Sequence, residues 1–335
     1  MGMIADSQRV RKGDFLVFYL QQNASQSVYD GKFYGIFKIK EDLSFLDNND
    51  ASQFLKNELV KSLTFRTLIE PFEVYSKGIT EWEALDEIKH LQSPNQMLWS
   101  LIYRKLKGNR GNTMITTYES ERLFKLLREK NRHKTLSGQN LTFDVPSQEI
   151  TGGLSSNNYS GRKEKINILP RLIQKYKTQK AFETHLQAYI VQNIGRGINT
   201  SLDECLLDGL ALDWLGNEVS CGVGMQRIDV MLSLMKSNRK IVRPIELKAV
   251  EATTINTIQI QRYVDWLEQY YVPNIISDIQ PVLISKKIDD KNTKAYAEIV
   301  KTFEDFNERN KGLELKFIEY WIDGTNLKFE EVSYQ

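Results

Sequence analysis

Two short apolar segments carry charged side chains whose types and spacing could support chemistry. Residues 243–249 read Arg-Pro-Ile-Glu-Leu-Lys-Ala. If they form a strand, Glu246 and Lys248 share one face, because side chains alternate along a strand. Upstream, residues 227–232 read Arg-Ile-Asp-Val-Met-Leu and place a single acid, Asp229, among residues that favour strands. Two carboxylates and a lysine on neighbouring strands predict hydrolysis of a phosphodiester with the help of a divalent metal ion.

Each of these groups has an expected role. Asp229 and Glu246 are predicted to bind Mg²⁺, which prefers a few carboxylates and keeps several waters. Mn²⁺ is expected to substitute, and the backbone carbonyl of Leu247 is a further predicted ligand. Lys248 is expected to orient the attacking water and to stabilise negative charge on the phosphate. The alternative is a plain surface pair on an edge strand, with Asp229 as an acid next to a turn.

Helical segments on either side of these strands supply further candidates. Glu183 lies in a predicted helix between the apolar residues Phe182 and Leu186, where it can add a carboxylate. Downstream, Gln259 and Tyr263 lie one above the other on a predicted helix face, because they are separated by one helical turn. The alternatives are a solvated helix acid and an ordinary polar helix face.

The order of these motifs resembles the RecB-like branch of the PD-(D/E)XK nuclease superfamily, and most of all the nuclease domain of the NucS endonuclease family. The motifs are residues 182–186, 226–229, 245–248 and 259–266, and the resemblance covers about residues 175–335. It implies that Asp229 and Glu246 bind metal, that Lys248 is catalytic and that Glu183 is a further acid. It also implies that Gln259 and Tyr263 shape the site near the phosphate. Gln226 stands where family members often have glycine.

The N-terminal part resembles a different family. Residues 13–19, 34–39 and 65–71 resemble the core of an EVE/YTH-type domain of the PUA-like fold, a small β-barrel with helices, over about residues 10–135. The resemblance implies a reader of nucleic acid that holds a flipped or modified base in an aromatic-lined pocket. The candidate stacking aromatics are Tyr34, Trp82, Trp99 and Tyr103. Each has a core position as its alternative, and the family's usual strand and helix before the Gly-Asp strand are not recognised ahead of Gly13.

Basic residues are concentrated in particular segments. The loop near residues 104–112 carries a cluster that is expected to contact phosphate or to form a solvated charge run: Arg104, Lys105, Lys107 and Arg110. Arg227 is expected either to pair with an acid or to touch phosphate. Residues 162–180 carry seven bases against one acid, Glu164. This segment is interpreted either as a phosphate-contacting surface or as a solvated linker and helix face.

The composition limits the class of protein. The 335 residues are 41% apolar and 26% charged, with a net charge of +2, so any nucleic-acid contact must come from local patches. Two cysteines and three histidines argue against a disulfide framework and a structural zinc site. Because no apolar run is long enough for a transmembrane helix and no signal segment is recognised, a cytoplasmic protein without membrane contact is expected.

The predicted fold class is α/β, in two domains. We expect a PUA-like reader domain at residues 1–135, of which residues 1–12 are polar and frayed. A linker rich in Ser, Gly and Asn is expected at residues 136–170. A PD-(D/E)XK domain with a mixed sheet flanked by helices is expected at residues 171–335.

Together these features predict a Mg²⁺-dependent endonuclease that cleaves DNA at targets chosen by the reader domain. Restriction of foreign or modified DNA and DNA repair are the expected roles. RNA is an alternative substrate, and a non-catalytic nucleic-acid-binding protein on a nuclease scaffold is the alternative from another class. Cutting of both strands would need two active sites and hence a homodimer. The site residues must lie close together in the fold, because Mg²⁺ holds its ligands at about 2.1 Å.

Overall fold

The computed structural model describes residues 3–42, 44–47, 53–60, 64–86, 91, 94, 97–98, 100–101, 112–138, 140–153, 159–180, 182–221, 226–271 and 278–334. These residues form helices and several sheets, which confirms the predicted α/β class. Among them, no helix combines the length and the apolar character needed to cross a bilayer.

The N-terminal part consists of short helices and short strands. Its helices are α1 (Met3–Arg9), α2 (Lys56–Leu59), α3 (Glu81–Asp86) and α4 (Thr117–Lys130). Its strands are β1 (Phe15–Leu20), β2 (Lys32–Ile39), β3 (Phe45–Leu46), β4 (Phe65–Arg66), β5 (Ile69–Glu73), β6 (Ile79–Thr80), β7 (Leu141–Asp144), β8 (Glu149–Gly152) and β9 (Glu164–Lys165). A single 3₁₀ turn, Ala24–Gln26, lies between β1 and β2.

Strand β2 is the centre of an open sheet. Strand β1 pairs antiparallel along one edge of β2, while β5 and β6 share its other edge. Strands β3, β4 and β9 form a separate small sheet, and β7 pairs with β8. Within the described ranges this sheet does not close, so the predicted small barrel is wrong in that respect. The physical reason is that the strands available to close it pair with each other instead.

Helix α4 packs on the β2 sheet. Leu123 and Leu127, one turn apart, are fully buried in a cluster that includes Phe33 of β2. The helix begins at a capping box, in which the Thr116 side chain accepts a bond from the Glu119 N–H and the Glu119 carboxylate accepts one from the Thr116 N–H. The start of the helix is thereby fixed, and its apolar stripe forms the core of the N-terminal part.

The C-terminal part is built on one six-stranded sheet. Its helices are α5 (Leu169–Lys177), α6 (Glu183–Asn193), α7 (Thr200–Leu207), α8 (Asn256–Tyr270) and α9 (Lys294–Asn310). Its strands are β10 (Ala211–Ser220), β11 (Arg227–Lys236), β12 (Arg239–Glu251), β13 (Val282–Lys286), β14 (Lys316–Asp323) and β15 (Asn326–Glu331), and they are neighbours in this order. Strand β13 runs parallel to both β12 and β14, and the other pairs are antiparallel.

Helices cover both faces of this sheet. Leu186 of α6 and Leu247 of β12 belong to one apolar cluster, and Ile260 of α8 belongs to the cluster on the other face. Because side chains alternate along β12, the neighbours of Leu247 in sequence, Glu246 and Lys248, are directed away from the first cluster. The sheet therefore places these two charges on the side of α8.

Helix α1 packs against the C-terminal part. Ala5 and Gln8 are fully buried, and the helix lies on α6 and β10. Arg9 Nε donates to Asn217 Oδ1 at 2.7 Å, and Asn217 Nδ2 donates in turn to Asp6 Oδ1 at 2.8 Å. The expectation of a frayed N-terminal segment is wrong, because α1 buries one face and its polar groups find partners on β10.

Candidate active site

The pairing between β11 and β12 ends next to Asp229. The last cross-strand pair on this side joins Val230 and Ile245. Beyond it, the N–H of Leu247 donates to Asp229 Oδ2 at 2.9 Å. The carboxylate thus takes the place of a backbone acceptor for a buried donor, which would otherwise be unsatisfied. Asp229 is therefore held where the two strands separate, with its side chain directed at β12.

Glu246 is buried, and both of its carboxylate oxygens have partners. Its side chain is only 1% exposed. Oε1 forms an ion pair with the ammonium group of Lys248, and Oε2 accepts a hydrogen bond from the hydroxyl of Tyr263 at 2.6 Å. Since a buried carboxylate is costly without such donors, the lysine on β12 and the tyrosine on α8 together stabilise this acid in one orientation.

The hydroxyl of Tyr263 links α8 to both acidic strands. It lies 2.6 Å from Glu246 Oε2 and 2.8 Å from the carbonyl oxygen of Arg227, and its single proton serves one of these acceptors at a time. One turn earlier on α8, Gln259 Nε2 donates to the same hydroxyl oxygen at 2.8 Å. The structure thus brings the predicted Gln259 and Tyr263 pair to the buried acid, with Tyr263 in direct contact and Gln259 behind it.

Lys248 is partly buried among acids. Burial acts to lower its pKa, but the hydrogen bond to Glu246 and the charges of Glu246, Glu183 and Asp229 outweigh burial, so the pKa lies above the usual 10.5. Lys248 is therefore a permanent cation at neutral pH. A cation in this position can stabilise negative charge that develops nearby, but it cannot serve as a general base.

Glu183 is the outermost of the predicted acids. It is the first residue of α6, and its side chain is exposed. Its Oε1 lies 3.4 Å from the backbone nitrogen of Ala249, the residue after Lys248. The charge of Glu183 acts to raise the pKa values of both Glu246 and Lys248. The structure therefore brings Glu183 together with the acid pair and the lysine.

Burial raises the pKa of both central acids. For Asp229 the charge of Glu246 is the next cause, and the pKa lies well above the usual 3.8. For Glu246 the hydrogen bonds from Lys248 and Tyr263 oppose burial without cancelling it, so the pKa lies above the usual 4.5. Because the surroundings disfavour two ionised carboxylates here, a cation bound between them would lower the free energy of the site.

Asp229 and Glu246 carry carboxylates, the donor type that Mg²⁺ prefers. Among the described residues, no group of three or more His, Cys, Asp or Glu side chains is arranged to hold a metal ion. Mg²⁺ is usually bound through one or two carboxylates and keeps several waters, and Asp229 and Glu246 can supply that number, with Glu183 further out. The role of the Leu247 carbonyl as a ligand stays a prediction.

Two polar residues beside Asp229 were not identified from the sequence. Glu218 of β10 lies opposite Asp229, since its neighbours Asn217 and Val219 pair with the neighbours of Asp229 on β11. Its φ of +52° is in the left-handed region, which non-glycine residues seldom adopt. Gln187 Nε2 donates to the carbonyl oxygen of Asp229 at 2.8 Å and to Glu218 Oε1 at 3.3 Å.

Gln187 and Glu218 differ in how far the sequence could have indicated that they lie beside Asp229. Gln187 follows Glu183 by one helical turn, so helix periodicity places the two on one face of α6. Glu218 depends on the register between β10 and β11, which local sequence does not specify. Arg227 forms an ion pair with Glu218. Arg227 was expected either to pair with an acid or to touch phosphate, and the structure shows the ion pair with an acid.

The candidate residues of the N-terminal part are placed less favourably for binding. Tyr34 is 2% exposed, its hydroxyl donates to the carbonyl oxygen of Gln148 at 2.8 Å, and its ring contacts Phe143. It occupies the core position that was the alternative to a stacking role. Trp82 of α3 is 57% exposed. The other predicted contacts lie outside the described residues: Trp99, Tyr103, Arg104, Lys105, Lys107 and Arg110.

Comparison with known proteins gives no match: no protein-family model, no curated protein and no solved structure matches the chain.

Proposed function

We propose that this protein is a Mg²⁺-dependent endonuclease that hydrolyses phosphodiester bonds in DNA. The observation that supports this function is the grouping of two acids, the half-buried Asp229 and the buried Glu246, with the charged Lys248 and the outer acid Glu183. Hydrolysis of a phosphodiester requires an activated water and relief of charge on the phosphate. A carboxylate pair able to hold Mg²⁺, next to a permanent cation, can meet both requirements.

Each residue of the site has a role in this proposal. Mg²⁺, when bound, supplies a Lewis acid and lowers the pKa of a coordinated water. Asp229 and Glu246 would hold the ion, and the bond from the Leu247 N–H keeps Asp229 in place. Tyr263 orients Glu246. Lys248 stabilises the negative charge that builds up on the phosphate oxygens.

The architecture is compatible with the wider proposal. Residues 171–335 would form a PD-(D/E)XK nuclease domain, in which the acidic strands β11 and β12 lie within a mixed sheet between α6 and α8. Residues 1–135 would form an EVE/YTH-type reader of the PUA-like fold. The expected linker at residues 136–170 instead contributes β7, β8 and β9 to the N-terminal part. The reader would choose targets in restriction or repair in the cytoplasm, and a homodimer would cut both strands.

Cleavage assays on plasmid DNA and on labelled duplexes test the proposal. Asp229→Asn should lower the cleavage rate by about 10²–10³-fold, because it removes the charge that holds the metal. The asparagine amide oxygen can still accept the bond from the Leu247 N–H, so the fold should be retained. Asp289→Asn, at an exposed acid after β13, is the matched control and should cleave like wild type.

The metal and the substrate are tested in the same assay. EDTA should stop cleavage, and Mg²⁺ or Mn²⁺ should restore it. Identical products from wild type and Asp229→Asn would contradict the enzymatic proposal. Cleavage of matched RNA instead of DNA would select the RNA-cleaving alternative, and binding without cleavage in every metal would select the non-catalytic one.

Tyr263→Phe should weaken activity by about 10-fold or more at limiting Mg²⁺. The change removes a donor from the buried Glu246, and an unsatisfied buried acceptor costs roughly 1–3 kcal/mol. The measurement is the cleavage rate as a function of Mg²⁺ concentration. Tyr189→Phe is the control, since it also removes a buried hydroxyl with a hydrogen-bond partner, Asn199, but away from the acids. Equal effects of the two changes would contradict a role of Tyr263 in the site.

A further inference from the structure

We propose that a basic surface formed by the C-terminal end of α5 and by β13 binds the phosphodiester backbone of nucleic acid beside the candidate active site. This inference rests on the function proposed above. The surface, called here the α5 basic surface, consists of the lysines around Tyr176: Lys175, Lys177, Lys180 and Lys286.

Aromatic contacts connect this surface to the site. The Tyr176 ring lies 6.0 Å from the ring of Phe182, which directly precedes Glu183. It also lies 6.3 Å from the ring of Tyr320. The hydroxyl of Tyr320 donates to the carbonyl oxygen of Lys248 at 3.2 Å. The α5 basic surface therefore adjoins the backbone of Lys248 through packed aromatic rings on the α6 face of the sheet, the face on which Glu183 also lies.

The lysine on β13 belongs to the same surface. Lys286 Nζ lies 5.8 Å from the centre of the Tyr176 ring. Lys286 is the last residue of β13, the strand next to β12. The sheet thus adds a cation next to the ring that Lys175 and Lys177 flank in sequence on α5.

Lys177, Lys180 and Lys286 differ in their ion pairing from the bases towards the N-terminal part. The first two bases of the segment 162–180 form ion pairs. Arg162 lies 3.1 Å from Glu164, and Lys163 lies 3.0 Å from Glu41. By contrast, Lys177, Lys180 and Lys286 have no carboxylate within 4.0 Å among the residues that the structure describes. Lys177 and Lys180 are exposed. Unpaired cations on an exposed surface favour a polyanionic partner.

His185 on α6 shows the same positive potential. Burial lowers its pKa, and the charges of Lys175 and Arg171 lower it further. Lys175 and Lys177 also lie in the last turn of α5, where cations interact favourably with the helix dipole. Stabilisation of the helix end accounts for these two lysines alone. It does not account for Lys286 on the neighbouring strand, which a backbone-binding surface includes.

The test measures binding by the full-length protein in EDTA, so that cleavage does not interfere. The probe is a fluorescein-labelled DNA duplex, titrated at several NaCl concentrations. The variant Lys177→Ala/Lys180→Ala/Lys286→Ala should bind at least tenfold more weakly at low salt. Its slope of log affinity against log salt should be shallower by about 0.9 for each phosphate that the variant no longer neutralises.

The matched control removes the same number of lysines elsewhere. Lys294→Ala/Lys301→Ala/Lys311→Ala alters exposed residues of α9 and its C-terminal cap, on the opposite face of the sheet. It should bind within twofold of wild type. Arginine at the three surface positions should restore affinity, and thermal unfolding should show that both triple variants remain folded. A matched RNA duplex shows which nucleic acid depends more on this surface.

The failures of the two proposals can be distinguished. If the wild type binds no nucleic acid, both fail. If the wild type binds and cleaves DNA, but the surface and control variants show the same affinity and the same salt slope, only the α5 basic surface is refuted.

Discussion

Lys248→Met should lower the cleavage rate by about 10³-fold while the protein stays folded. Methionine keeps most of the volume of lysine and removes the charge. That charge is the cation nearest to the acid pair, with its Nζ bonded to Glu246. Because Lys248 is protonated at neutral pH, its contribution to the reaction is electrostatic, and an uncharged side chain cannot replace it.

The same change should also affect stability. Without the ammonium group, the buried Glu246 keeps the bond from Tyr263 but loses its only adjacent charge partner among the described residues, at a cost of roughly 1–3 kcal/mol. The double variant Lys248→Met/Glu246→Gln removes the uncompensated charge, so it should regain most of the stability and none of the cleavage. Urea unfolding and plasmid cleavage measure the two effects.

Lys287→Met provides the control for Lys248→Met. Lys287 directly follows β13 and pairs with Glu330 at 3.7 Å on the surface. Its replacement should leave both cleavage and stability close to wild type. The role assigned to Lys248 would be refuted if Lys248→Met cleaved DNA at the rate of Lys287→Met, or if the double variant regained activity.

Arg243→Met should destabilise the protein by about 1–3 kcal/mol, the cost of leaving buried acceptors without their donor. Arg243 is 2% exposed and pairs with Asp208. Its Nη1 donates to the carbonyl oxygen of Leu206 at 2.5 Å, and its Nε donates to Gln280 Oε1 at 2.9 Å. Lys316 also bonds Asp208, at 2.7 Å, but it cannot reach all the acceptors that the arginine would leave.

Arg162 offers a comparison in an exposed ion pair. It pairs with Glu164 at 3.1 Å, and both side chains are more than half exposed. Arg162→Met should therefore change the free energy of unfolding by about 1 kcal/mol or less. Urea denaturation of both variants is the measurement. Equal losses would mean that burial does not determine the contribution of Arg243.

The site was predictable where it depends on local periodicity. A strand has a period of two, so Glu246 and Lys248 had to share a face, and a helix brings Gln259 next to Tyr263. Glu218 and the burial of Arg243 depend instead on tertiary arrangement. Glu218 faces Asp229 only through the register of β10, and Arg243 is buried because Asp208 lies 35 residues away in sequence and next to it in space. Neither relation has a local signature.

The N-terminal part shows the same division. The strand character of residues near Phe15 and Tyr34 could be inferred from their apolar and aromatic content, and β1 and β2 form there. Which edges pair is a property of the whole sheet, and the inferred barrel does not close within the described residues. From the sequence, a core position was the favoured alternative to a pocket position for Tyr34, and its burial and its hydrogen bond to Gln148, on a turn far along the chain, place it in the core.

The docking of α1 onto β10 has a consequence for protein synthesis. Arg9 and Asn217, which bond each other, are separated by 208 residues in sequence. At a translation rate of about 5–20 residues per second, α1 waits on the order of 10–40 s for its partner strand to be made. During that time the face that contains Ala5 stays uncovered, as does any strand edge that emerges early. The first residues of the chain are thus among the last to reach their final place, and a ribosome-bound chain that lacks β10 should expose α1 to proteases and chaperones.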